Sequence, residues 1–254
     1  MTNWGLRAES TAWGFTFGAF KLPTFRYGFG LAGVQFGEHE GGLYMRVFLV
    51  NHCQSAHTVE KKIGGWYDTS LTGLGIRHAK AVADRLRCSL AQAERRPQLF
   101  SSDLLRAQET AEYVALAIGT DVRLRQELRE MSMGVAEGES ADWLVEHGQP
   151  LPENGDRLHY KACTGSESRF ELAARVYPFV KELIKRREPE TVIVTHGGTH
   201  DVIVGAWLGL PPETLGKLQF ATYHGSISKL SIEPDGTHVV GQLNDHAHLE
   251  LPTL

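Results

Sequence analysis

The chain has 254 residues, 42% hydrophobic and 22% charged, which fits one α/β domain with additions or at most two small domains. A formal net charge of −4 supplies no broad attraction for nucleic acid or an anionic membrane, so an anionic substrate needs a local basic pocket. Three widely spaced cysteines (Cys53, Cys88, Cys163) argue against a disulfide framework or zinc ribbon; no apolar run is long enough to span a bilayer and the N-terminus lacks a signal-peptide order, so a cytoplasmic protein with reduced thiols is expected.

Residues 1–44 differ from the rest, mixing glycines with Trp4, Trp13, Phe15, Phe17, Phe20, Phe25, Tyr27, Phe29, Phe36 and Tyr44. The stretch 14–20 partly alternates, as a strand does. Two readings stay open: an appended β-element or arm over a partner subunit, compatible with a homodimer, or an upstream extension outside the core. A second unit, 45–254, opens with an apolar strand over 46–50. A helix follows from Thr72, a capping residue, to about Arg95, with Ala79, Val82, Leu86 and Leu90 on one face. The pattern then gives a strand over 98–101, a helix over 104–118 closed by Gly119, and a brief strand over 122–124. Helical spacing returns over 139–149 and breaks at Pro150 and Pro152; 139–166 is a candidate lid, or equally a solvated connection. An amphipathic helix over 167–187, a strand over 191–195 and a helix over 200–208 come next. Strands over 226–232 and 238–243 flank a Pro-Asp-Gly turn. Alternating strands and helices predict an α/β fold: a three-layer sandwich with a mainly parallel sheet flanked by helices.

Two histidines stand just beyond apolar strands: His52 after Val47-Phe48-Leu49-Val50-Asn51, and His196 after Val192-Ile193-Val194-Thr195. Ligands of open α/β sheets gather at the carboxyl ends of the strands. A third strand runs into Ser102-Asp103-Leu104-Leu105-Arg106, which brings a guanidinium and a helix N-terminus to the same end. Any one of these histidines is more often structural; the joint arrangement points to an anion site.

These segments resemble the histidine phosphatase (phosphoglycerate-mutase-like) superfamily. Asn51-His52-Cys53-Gln54-Ser55 stands where that family has Arg-His-Gly followed by Glu or Gln and Ser or Thr. Gly65-Trp66-Tyr67-Asp68 looks like the next loop, Ser101 to Ala111 is similar to the second signature, Leu128-Arg129-Glu130 resembles the acid segment, and Thr195-His196-Gly197-Gly198 matches the second histidine motif. The resemblance implies that His52 is the nucleophile forming a phosphohistidine, that Arg106 and His196 hold phosphoryl oxygens, and that Glu130 is the acid, with Glu137 its rival. It also implies that Asn51, Cys53, Gln54, Ser55, Thr58 and Gly197 line the substrate site, and that no metal or other cofactor is required.

Asn51 in place of arginine is the sharpest departure: an amide brings neither formal charge nor a bidentate fork. Cys53 in place of glycine is the second, read as a small buried side chain ahead of a reactive group. Arg77, Arg129 or Lys62 are candidates to replace the missing charge. The expected function is a phosphatase acting on a small phosphorylated metabolite. The alternatives are a repurposed enzyme of the same fold with a non-phosphate or less charged substrate, or a non-catalytic pseudophosphatase. Residues 139–166 are too short and lack the paired arginines expected of a mutase proper.

Overall fold

The structure, a computed structural model, describes residues 45–249. The expectations for 1–44, including the strand-like 14–20 and the arm over a partner, lie outside the described residues, as do 250–254.

The strands are β1 (Met45–Asn51), β2 (Gln98–Ser102), β3 (Val122–Arg125), β4 (Glu190–Thr195), β5 (Ile227–Ile232) and β6 (His238–Asp245). They form a single six-stranded sheet in the order β3-β2-β4-β1-β5-β6. The first four of these lie parallel, β5 runs antiparallel to β1, and β6 runs antiparallel to β5. The principal helices are α1 (Ala56–Val59), α2 (Gly73–Ser89), α3 (Leu105–Ile118), α4 (Ala141–His147), α5 (Arg169–Arg186) and α6 (Gly197–Trp207).

Successive strand residues point to opposite faces, and both faces are apolar because both are covered. Met45, Val47, Leu49, Phe100 and Ile193 pack on one side with Leu172, Val176 and Val180 of α5 and Ile203 and Trp207 of α6. Phe48, Val50, Leu99, Val192 and Val194 pack on the other with Ala79, Val82 and Leu86 of α2 and Ala107, Ala111 and Val114 of α3. The result is the expected three-layer sandwich.

Local signals explain the helix ends. Thr72 caps α2 by accepting from Gly75 N, and Gly119 closes α3 at φ 68°. Ser168 and Glu171 form a reciprocal capping box at the start of α5. Two boundaries differ from expectation. α2 stops at Ser89, not near Arg95: Leu90 is its last buried contact, and the polar residues beyond have no core to face. α6 starts at Gly197, three residues early, with His196 as its capping residue. Helix propensity argues against a double glycine, but an acceptor supplied by Glu130 satisfies the Gly198 N–H.

Candidate active site

Parallel pairing of β1 with β4 aligns Asn51 with Thr195, so His52 and His196 leave the sheet side by side. Their ring centroids lie 5.0 Å apart, and both rings are buried. His52 Nδ1 lies 2.7 Å from the carbonyl oxygen of Cys53. A carbonyl only accepts, so Nδ1 carries the ring proton and Nε2 keeps its lone pair. That nitrogen accepts from Arg106 Nε at 3.3 Å. Burial, then the Arg106 charge, holds the His52 imidazole well below its ordinary pKa, so the ring is neutral near pH 7.

Arg106 stands on the first turn of α3, 1% exposed. Its Nη1 and Nη2 donate to Tyr67 O at 3.0 Å and Gly65 O at 2.8 Å. Three of the five guanidinium N–H bonds are thus engaged, leaving two for a ligand. His196 Nε2 meets Ser102 Oγ at 2.8 Å, and its Nδ1 is buried without a partner among the described residues. Burial, then Arg106, also lowers its pKa well below the ordinary value.

Glu130 lies on the loop after β3. Its Oε1 accepts from Met131 N at 2.8 Å and its Oε2 from Gly198 N at 3.0 Å, so the carboxylate sits at the N-terminus of α6. A Cβ at Gly198 would come within 2.5 Å of Oε1, so any larger residue there would displace the carboxylate. Arg175 clamps the main chain behind it, donating to the carbonyls of Glu127, Arg129 and Glu130 while paired with Glu167. Glu130 is also the leading carboxylate acting on Arg106. The rival Glu137 is tied into its own loop by Ser132 Oγ at 2.8 Å and Met133 N at 2.9 Å.

The loop after His52 contains the other expected residues. Gln54 Oε1 accepts from Thr72 Oγ1 at 2.7 Å, which ties this loop to the cap of α2. Ser55 precedes α1 and contacts His57 Nδ1 at 3.1 Å and Thr58 Oγ1 at 3.4 Å. Gly197 opens α6 beside His196. The Cys53 thiol packs in the apolar cluster with Ile227 and Leu249, as a small buried side chain does, and its main-chain N–H donates to Thr110. Burial pushes that thiol up to about 12, which makes it unreactive. Asn51 is buried, with Nδ2 donating to Tyr223 O at 3.2 Å and Oδ1 without a partner among the described residues. The three cations considered as replacements are engaged elsewhere. Arg129 is held by both oxygens of Asp103, at 2.7 Å each, and stacks on Trp66; Arg77 donates to Gly73 O; Lys62 lies by Glu60 and Tyr67.

Two residues that sequence reasoning passed over complete the cluster. His57 lies 6.3 Å and His224 5.0 Å from His52, centroid to centroid. Burial, then Arg106 and His224, lowers the His57 pKa to about 4. A Cβ at Gly64 would come within 2.8 Å of His57 Nε2, so the glycine makes room for the ring. His224 is reached only because β5 is antiparallel, which carries the residues before it back over the end of β1; Gly225 N donates to the Asn51 and His52 carbonyls.

The model of the histidine phosphatase superfamily (branch 1) matches residues 47–245. The chain belongs to this superfamily. It is 31% identical over 221 residues to a probable phosphoglycerate mutase, GpmB, of Salmonella paratyphi C, covering 83% of this chain and 97% of that one. Among solved structures it resembles mycobacterial hydrolase 1, with TM-score 0.68 and 27% identity over 80% of this chain and all of that one. It also resembles a mycobacterial glucosyl-3-phosphoglycerate phosphatase solved with VO3, with TM-score 0.66 and 28% identity over 79% of this chain and 99% of that one. Among the described residues of this superfamily member, no helix is long and apolar enough to cross a membrane.

Proposed function

We propose that this protein is a phosphatase that hydrolyses a small phosphorylated metabolite through a phosphohistidine on His52 Nε2. The observation that carries this reading is the fixed tautomer of His52, which leaves Nε2 unprotonated and beside a buried guanidinium. In the first step Nε2 forms a bond to phosphorus while the bond to the leaving oxygen breaks, and Glu130 gives that oxygen a proton. In the second, water attacks phosphorus, its proton goes to the Glu130 carboxylate, and the N–P bond breaks. Arg106 offers its two free N–H groups to the phosphoryl oxygens. His196 offers Nδ1 when Ser102 donates to Nε2, because the ring proton then lies on the unpartnered nitrogen.

Relatives support the substrate class: one structural relative is a phosphatase of glucosyl-3-phosphoglycerate and has also been solved with inorganic phosphate. The segment 139–166 is assigned to substrate selection. With Met131 and Met133, next to Glu130, it encloses a pocket of about 500 Å³ that includes Leu144, Leu151 and Tyr160. A cytoplasmic location and a homodimer complete the proposal, supported by three unpaired cysteines and the aromatic composition of 1–44. Light scattering tests the dimer.

The test of function is phosphate release from a panel of monoesters, including p-nitrophenyl phosphate, beside a His52→Ala control. Turnover and acid-labile phosphate labelling, both lost in the variant, are expected. A folded protein that neither turns over nor labels refutes the reading and favours a pseudophosphatase, for which Asn51 already argues, since its amide carries no charge and one of its two N–H groups is engaged by Tyr223.

A further inference from the structure

Among the described residues, Arg106 is the fixed cation that donates to His52. Asn51 carries no charge, and Arg77, Arg129 and Lys62 have other partners. Arg106 alone does not match a phosphoryl dianion. Yet two further imidazoles crowd His52, and the arrangement of one follows from Asn51 itself. The Asn51 amide holds the Tyr223 carbonyl at 3.2 Å, and the next residue, His224, stands 5.0 Å from the His52 ring. Its Nδ1 is buried without a partner among the described residues. On the other side His57 has its Nδ1 between the hydroxyls of Ser55 and Thr69, at 3.1 and 2.8 Å. A hydroxyl both donates and accepts, so these partners suit the ring with or without a proton there.

We infer that His57 and His224 bind the phosphoryl group by taking up protons as it arrives, supplying as imidazolium the charge that Asn51 does not. The inference rests on the reading of this site as a phosphoryl pocket. Burial above all, with the Arg106 charge beside it, favours the neutral state of both rings when no anion is bound. His57 faces Arg106 of α3 and His224, besides the ring of His52. His224 faces Arg106, His78 of α2 and a hydrogen-bonding main-chain group of His52. Among the described residues no carboxylate acts directly on either ring; Glu130, Asp68 and Glu137 act on Arg106. A bound dianion reverses the sign of the local field, so protonation and anion binding strengthen each other. The protons come from solvent, and the bound anion carries the balancing charge.

The probe is inorganic sulfate, which remains a dianion across the working pH range and releases no proton of its own. Titration calorimetry of the full chain near pH 7, in buffers of different ionisation enthalpy, counts the protons taken up. Net uptake is expected, with affinity rising up to about tenfold per pH unit for each fully coupled imidazole as pH falls. The double variant His57→Gln, His224→Asn should lose most of the uptake and the pH dependence. Imidazole ¹⁵N spectra of the unmodified protein give a check independent of that variant's folding: on sulfate addition the His57 and His224 signals move to the imidazolium pattern. Undetectable sulfate binding, uptake unchanged in the variant, or neutral His57 and His224 signals at saturation overturns the inference. Sulfate binding with this uptake in a protein that hydrolyses no monoester would sustain the inference and refute the phosphatase reading. Turnover through His52 without proton uptake at these rings would do the reverse.

Discussion

Glu130→Gln separates proton transfer from shape. Glutamine fits the same space, but its amide NH2 must face one of two donors, Met131 N at 2.8 Å or Gly198 N at 3.0 Å. One buried donor then loses its acceptor, which lowers stability by about 1–3 kcal/mol. The larger effect is chemical. An alkoxide needs a proton to leave, and removing a positioned acid costs about 10²–10⁴ in rate, roughly 3–5 kcal/mol of barrier. A p-nitrophenolate leaves without a proton, so its kcat/KM should stay within about tenfold of the unmodified enzyme. The same variant also lacks the base that activates water, so p-nitrophenyl phosphate should give a stoichiometric burst followed by slow turnover. Stopped-flow absorbance and a series of alkyl and aryl phosphates read both signatures. Equal losses on all leaving groups with no burst would refute the assignment. The same pattern arising from Glu137→Gln would move the acid to the residue now held by Ser132 and Met133.

Arg106→Lys should reduce kcat/KM by at least about a hundredfold, because one ammonium cannot serve a phosphoryl group together with the carbonyls of Gly65 and Tyr67; steady-state kinetics showing less than a tenfold loss would contradict this. Gly75→Ala places a Cβ 2.0 Å from the Gln54 carbonyl oxygen. The opposing atom is main chain in a loop tied to the cap of α2, so a loss of about 1–3 kcal/mol and a Tm about 2–12 °C lower are expected by calorimetry. Acid should weaken the fold. The His57 pKa is lowered from 6.5 to about 4, and those of His52, His196 and His224 also lie below the ordinary value, burial being the main cause throughout. Below 6.5 the unfolded chain therefore binds more protons, so stability is fully present above that pH and falls as pH drops through about 4, by about 1–3 kcal/mol for His57 after allowing for screening. Urea midpoints that do not fall between neutral and mildly acidic pH would contradict it, and sulfate should reduce the loss.

The parallel half of the sheet and its helices were legible because apolar strands, caps and breakers agree locally. Thr72, Gly119 and the Ser168 region mark helix ends by their own chemistry. His52, Arg106 and His196 were legible for a topological reason: residues just past parallel strands share one end of the sheet. Glu130 needed the family's order of motifs, since a carboxylate on a loop has no pattern of its own. His224 was hidden because it precedes a strand, and that position reaches the site only when the strand runs antiparallel, which β5's residues do not announce. His57 was hidden by proximity: five residues after His52, it reads as turn filler until Gly64 is seen to clear space for its ring. The family's order of motifs put Cys53 on the substrate wall, whereas its own chemistry, that of a small apolar side chain, fits the cluster it joins with Ile227 and Leu249.

The placement of β1 has a consequence for synthesis. Among the described residues β1 pairs with β4 and β5, which begin at Glu190 and Ile227, about 140 or more residues later. At about 5–20 residues per second, roughly 7–30 s pass between the emergence of Met45–Asn51 and that of its first neighbour. Through that interval an apolar strand lacking both of these neighbours is exposed beside the ribosome, and His52 at its end has no second histidine to face. An incomplete chain therefore holds only half of the paired-histidine cluster, and its hazard is aggregation through β1.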